Sequence, residues 1–275
     1  MGKLKYILVF ILISAWGVGL LNPDTLHAAK KKIRKVVIDA GHGGKDPGCH
    51  GAYSFEKDIT LAVAKKVGRL LQENCKDVKV VYTRDVDVFA GGDELSIRQS
   101  LMYRTELANR EKADLFISIH VNSTPRRNSP VKGTLVLICG PTRVDEKENA
   151  IGENTQNIGE TEELLDPSDP ATQIIIAQYS QAFLAQSIVL GSKINDGFVG
   201  QGRVSEGVRQ QSLQVLASSA MPGVLVEVGY LNNSDEENYL NSEDGQEEVA
   251  LSIYNGIKAY KEEAERETIQ IIKDN

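Results

Sequence analysis

The residue types best suited to chemistry in this chain are two histidines and two glutamates, each tied to an apolar run. His42 lies in Val-Val-Ile-Asp-Ala-Gly-His-Gly-Gly at 36–44, and Glu56 comes 14 residues after it. A second histidine, His120, closes the apolar run that starts at Leu115, and Glu227 stands inside Val-Leu-Val-Glu-Val at 224–228. Imidazole nitrogen and carboxylate oxygen are donors that zinc accepts. Three such ligands with a spare carboxylate make up a hydrolytic zinc site, whose fourth position is left to water. Taken singly, each residue also fits a plainer role. A histidine after a strand is commonly a hydrogen-bonded loop residue, and a glutamate such as Glu56 suits a helix N-terminus electrostatically. Glu227 resists that treatment, because an unpaired carboxylate among valines and leucine is costly to bury. His50 and Cys49, in Gly48-Cys49-His50-Gly51, read as loop residues.

For these groups to meet, the elements carrying them must end at one place. Residues 35–40 form a short β-branched run of the kind expected for a buried strand. Ile59, Val63, Val67 and Leu70 recur at helical spacing, so Glu56 begins or immediately precedes a helix. Val78–Thr83, Leu115–His120, Gly133–Cys139 and Gly223–Val228 read as further strands, with a helix over Leu95–Lys112 between the first two. Ile174–Leu190 is helical in period, Val204–Ala217 holds a short strand and loop, and the chain is helical from Glu236, ending in a charged amphipathic stretch at Ile257–Ile272. Strands alternating with helices imply βαβ units and a sheet covered on both faces. In such sheets ligands gather at the carboxyl ends of the strands. Parallel, adjacent strands would therefore bring His42, His120 and Glu227 to one edge, with Glu56 reaching it from the helix start.

The bulk numbers narrow the partners. A net charge of −7 over 275 residues argues against nonspecific nucleic-acid binding, which needs clustered Lys and Arg. Lys3 and Lys5, the apolar run Tyr6–Leu21 and the small residues around Leu26-His27-Ala28-Ala29 read as an export signal over 1–28, followed by a short basic linker at 29–34. An uncleaved anchor is the alternative, since Lys30, Lys31, Lys32, Arg34 and Lys35 resist translocation. Cys49, Cys75 and Cys139 are odd in number and have no C-x-x-C spacing, so no disulfide framework is indicated, although a Cys49–Cys75 or Cys75–Cys139 bridge stays open.

Several blocks occur in a recognisable order. They are Val-Ile-Asp-Ala-Gly-His-Gly-Gly-Lys-Asp-Pro-Gly at 37–48, Glu-Lys-Asp at 56–58, Thr-Arg-Asp at 83–85, and Arg104 with Ala108-Asn109. Ala-Asp-Leu-Phe-Ile-Ser-Ile-His-Val-Asn at 113–122 and Pro-Gly-Val-Leu-Val-Glu-Val-Gly-Tyr-Leu-Asn-Asn at 222–233 complete the series. In these the chain resembles the zinc-dependent N-acetylmuramoyl-L-alanine amidases of the cell-separation type, over residues 35 to 260. The resemblance implies a single α/β domain with a mixed, mostly parallel sheet and helices on both faces. It implies one Zn2+ per chain held by His42, Glu56 and His120, with Glu227 as the catalytic carboxylate. Peptidoglycan is then the substrate and the exported cell envelope, the periplasm above all, the location. Ala40 stands where the family commonly has proline, which touches loop stiffness only.

Residues 141–170 break the βα rhythm. Nine acidic residues there face only Arg143 and Lys147, for a net charge of −7, which reads as a surface insertion. Family members used in cell separation often carry a helix that blocks the zinc until a partner protein moves it. Glu148-Asn149-Ala150 resembles such a stretch, making Glu148 the candidate autoinhibitory ligand and an activator protein the implied partner. Residues 261–275 form a charged C-terminal helix or tail. A non-catalytic peptidoglycan-binding protein and a zinc peptidase acting within the stem peptide are the competing functions.

Overall fold

The computed structural model describes residues 32–153 and 170–274. The expected leader at 1–28, residues 29–31 of the linker, residues 154–169 of the acidic insertion and Asn275 lie outside the described residues. Residues 33–263 form one compact unit.

Within this unit, Lys35–Ala40 forms β1, buried at every residue after Lys35, which is why its sequence lacks alternation. It is followed by α1 (Glu56–Asn74), β2 (Lys79–Tyr82), α2 (Ile97–Arg110), β3 (Leu115–Asn122) and β4 (Thr134–Cys139). Next come α3 (Val144–Glu153), α4 (Pro170–Gly200), β5 (Ser205–Gln211), the single turn α5 (Gln214–Ala217), β6 (Gly223–Tyr230), α6 (Ser234–Asn241) and α7 (Glu243–Asp274). The six strands form one sheet in the order β2-β1-β3-β6-β4-β5. Only the β4–β6 pair is antiparallel, so the sheet is mixed and mostly parallel, as the resemblance implies.

Two apolar cores flank the sheet. Val36, Ile38, Ile117, Ile119, Val224 and Val226 point to one, under α1, α4 and α7. Val37, Phe116 and Leu225 point to the other, where Ala108 of α2 and Val215 to Ala217 of α5 meet them. The period-2 pleat thus sorts alternate residues of one strand between two helical layers. It also puts His120 and Glu227 on the Phe116/Leu225 face. The two are register partners near the carboxyl ends of β3 and β6.

The insertion opens with a 3-10 turn at Pro141–Arg143, and α3 follows it over the stretch where the resemblance implies a helix. Lys147 explains why an acidic segment docks, since its buried ammonium donates to the carbonyls of Ser219 at 2.7 Å and Met221 at 3.1 Å. Two other elements differ from the sequence expectation. α4 extends to Gly200 rather than stopping at Leu190, because Leu190, Ile194 and Phe198 continue one buried stripe at i, i+4, i+8. The tail from Ser234 is two helices, divided at Ser242. Cys49, Cys75 and Cys139 are free thiols, so neither bridge forms.

Candidate metal centre

β1 ends in a loop that the backbone resists. His42 has φ 60°, the left-handed region, where a side chain at Cβ is disfavoured, and Gly43 and Gly44 continue at φ 123° and 54°. Two buried arginines stabilise this turn through its carbonyls. Arg84 donates to Ala40 O at 3.0 Å and Gly41 O at 2.8 Å, while Arg104 donates to Ala40 O at 2.8 Å and His42 O at 2.7 Å. Arg104 is itself paired with buried Asp39 at 2.5 Å, and Asp39 also accepts from Thr83 and Ser118. The strained residue is thus fixed by a polar network spanning β1, α2 and β3.

On that base, three donors converge. The ligand atoms of His42, Glu56 and His120 all lie within 4.8 Å of one another. His42 Nε2 is 3.2 Å and His120 Nδ1 2.8 Å from Glu56 Oε1, with the two rings edge to face at 4.9 Å. A register irregularity after His120 disturbs the β3–β6 ladder, and the Val121 N–H donates to Glu56 Oε1 at 3.0 Å. Cys49 N–H donates to Glu56 Oε2 at 2.8 Å, and Asp46 Oδ2 holds His42 Nδ1 at 2.8 Å, leaving Nε2 turned to the cluster. Close approach dictates two glycines. A Cβ at Gly41 would run into the His120 ring, and one at Gly48 would lie 2.6 Å from Glu56 Oε2.

The electrostatics suit a cation. Burial pushes the Glu56 carboxyl up, but hydrogen bonds and charge from His120 and His42 outweigh it and hold the group far below the usual carboxylate range. Burial lowers the affinity of His42 for a proton, and Glu56 and Asp46 more than reverse that. An environment that favours a proton on an imidazole at this spot favours a metal ion in its place. Beside this set, burial pushes the Glu227 carboxyl up to about 7, and its Oε2 is buried with no hydrogen-bond partner. An orphaned buried acceptor of this kind is rare and points to a missing ligand or solvent molecule. Two imidazoles and a carboxylate with an oriented outer shell fit zinc.

All four residues singled out for chemistry therefore meet, and Glu148 does not join them. Lys147, its neighbour, is anchored to carbonyls that precede β6, six residues and about 20 Å along the strand from Glu227. β4 runs antiparallel to β6, so the insertion leaves the sheet at the end away from the donors. Sequence reasoning passed over Asp46, Asp39, Arg84 and Arg104 as individual actors. The helical phase held the signal for Arg104, which shares the buried face of α2 with Ser100 and Ala108.

An α/β sheet that gathers a His–Glu–His donor set and an orphaned glutamate at parallel strand ends defines a protein built around a candidate metal site. A family model described as N-acetylmuramoyl-L-alanine amidase matches residues 36–259, and the chain belongs to that family. It is 30% identical over 256 residues to a probable N-acetylmuramoyl-L-alanine amidase, AmiB, of Haemophilus influenzae, covering 87% of this chain but only 54% of that protein. Among solved structures it is similar to the catalytic domain of the amidase CwlV from Bacillus (Paenibacillus) polymyxa, with 31% identity and a TM-score of 0.55, covering 83% of this chain and 98% of that one. The CwlD amidase of Clostridioides difficile, solved in complex with the GerS lipoprotein, gives 25% identity and a TM-score of 0.55 over 82% of this chain and 98% of that one.

Proposed function

We propose that this protein hydrolyses the amide bond between N-acetylmuramic acid and L-alanine in peptidoglycan, with one zinc ion held by His42, Glu56 and His120. The observation that carries this reading is the unpartnered Glu227 Oε2 beside a complete donor set. When bound, zinc supplies Lewis acidity to the scissile carbonyl and to water. Glu227, held near neutrality by burial, takes the proton of the attacking water and returns it to the departing L-alanine nitrogen. Asp46 and the two backbone donors on Glu56 keep the ligands aimed without rearrangement during turnover.

Such a substrate places the protein in the exported envelope, in the periplasm by this reading, where it would act in wall remodelling or daughter-cell separation. An activator protein belongs to the same proposal, and the capture of CwlD with a lipoprotein supports it. The test is mass spectrometry of peptidoglycan digested with and without chelator. An amidase releases free peptides that begin with L-alanine and leaves glycan chains intact. Cuts within the stem peptide would identify a peptidase instead, and binding without turnover a non-catalytic protein. Glu227→Ala that hydrolysed peptidoglycan at the parent rate would refute the assigned role.

A further inference from the structure

The segment between Gly48 and Glu56 folds as a small hairpin. His50 and Phe55 form an antiparallel bridge, Gly51 N–H donates to Ser54 O at 3.0 Å, and Glu56 N–H donates to Cys49 O at 2.9 Å. Its tip is clamped by one carboxylate. Glu237 of α6, only 2% exposed, accepts from the N–H groups of Ala52 at 2.9 Å, Tyr53 at 3.0 Å and Ser54 at 3.1 Å, and from the Ser54 hydroxyl at 2.8 Å. Gly51 permits the approach, because a Cβ there would strike the Glu237 carboxylate. Four hydrogen bonds to a buried charge make this a rigid loop, not a floppy one.

What the rigid loop displays is unusual. Among the described residues the large exposed hydrophobics include two aromatics, Tyr53 at 62% and Phe55 at 46% exposure, and both are here. The Tyr53 hydroxyl donates to Asn238 Oδ1 at 2.9 Å, so the ring is fixed while most of its surface stays in solvent. Phe55 is the N-cap of α1 and makes no side-chain cap. Ser, Thr, Asp or Asn at an N-cap contributes about 1 kcal/mol, which this position forgoes while also exposing a phenyl ring. Local rules broken without structural gain mark functional positions. The hairpin His50–Phe55 contains no Lys, Arg, Asp or Glu, and it abuts Glu56 of the donor set.

We propose that Tyr53 and Phe55 form a glycan subsite, a pre-ordered aromatic platform on which a pyranose ring of the wall polysaccharide stacks beside the metal cradle. The chemistry matches in three respects. Sugar rings present apolar C–H faces to aromatic planes and carry no charge at those faces. The platform is neutral, whereas an anionic lipid surface would call for Lys and Arg. The Tyr53 ring, tied to Asn238 on a backbone held by Glu237, loses little entropy when a ligand lands on it. The proposal rests on the amidase reading for the choice of polysaccharide, since the bond to be cut joins a sugar to a peptide.

Two measurements on the full zinc-loaded chain test it separately from that reading. Calorimetric titration with peptide-stripped glycan strands needs no hydrolysis, and kinetics on solubilised peptidoglycan need no stripped glycan. Tyr53→Ala and Phe55→Ser are each expected to weaken strand binding and raise KM roughly 3- to 10-fold with kcat unchanged. The ring-preserving Phe55→Tyr should match the parent, and Tyr53→Phe, which keeps the ring but removes its tie to Asn238, should fall between the parent and Tyr53→Ala. Phe55→Ser adds a cap, so its Tm should not fall, which excludes unfolding as the cause. Parent-like binding and KM in both ring-deleted variants would overturn the subsite and leave the amidase standing, the exposed rings then being free for a protein partner. Ring-dependent glycan binding without any amide cleavage would sustain the subsite and remove the amidase.

Discussion

At the scale of single residues, the four chemical groups divide into two kinds of dependence. His42, Glu56 and His120 face one another through their donor atoms, whereas Glu227 Oε2 faces no partner. Glu56→Ala is therefore expected to lose bound zinc and activity together, while Glu227→Gln keeps zinc and loses at least about 100-fold in kcat. Elemental analysis alongside a turnover assay separates the two, and loss of zinc from Glu227→Gln would reassign that residue as a ligand. Asp46 acts through His42 Nδ1, so Asp46→Ala should weaken zinc affinity roughly 10- to 100-fold without abolishing it. The donor set was legible in sequence because both histidines end or follow an apolar run, Glu56 opens a helical period, and few histidines compete for the role. Asp46 was not, since an aspartate four residues after a histidine is an ordinary loop residue until the left-handed turn at His42 folds it back.

At the scale of elements, the same turn shows what sequence could and could not give. The apolar runs of β1, β3 and β6 and the helical phase of α1 and α2 were plain in the sequence, because burial on both faces writes itself as unbroken Val, Ile and Leu. The pairing of His120 with Glu227 was not, because register between strands a hundred residues apart is settled by tertiary packing. Asp39 is the joint that binds these elements. Burial alone would push its carboxyl up, but the Arg104 guanidinium, aided by the Thr83 and Ser118 hydroxyls, holds it below its ordinary value. A depressed folded value means that the charged form stabilises the fold at pH above about 4, and that this contribution drains away as pH falls through the lower folded value. Asp39→Asn leaves Arg104 buried and uncompensated, which should cost about 3–5 kcal/mol near neutrality. Urea unfolding across pH 3 to 7 should show the parent losing stability in acid more steeply than Asp39→Asn, and parallel profiles would refute the linkage.

At the scale of the whole molecule, two questions concern how remote parts bear on the cradle. The insertion reads as acidic and separate in sequence, and its helix is anchored at the far end of β6, through a lysine whose partners no local pattern reveals. Glu148→Ala should accordingly show the parent's basal turnover, and a several-fold rise would mean that the insertion reaches the cradle in another arrangement. A metal ion in the cradle would be the stronger long-range tie. His42 follows β1, Glu56 opens α1 and His120 lies near the end of β3, so one ion would tie the β1–α1 segment to a strand 64 residues further along the chain. An unfolded chain cannot offer these donors together, so zinc binding to the native state adds stability as RT ln(1 + [Zn]/Kd), about 2.7 kcal/mol when zinc is 100-fold above Kd. For a unit of this size, each kcal/mol moves Tm by about 2–4 °C, so chelation should lower Tm by about 5–10 °C. Glu56→Ala must abolish this zinc-dependent shift while the protein still unfolds cooperatively, and Glu227→Gln must retain it. An equal shift in all three proteins would place the stabilising zinc somewhere other than the cradle.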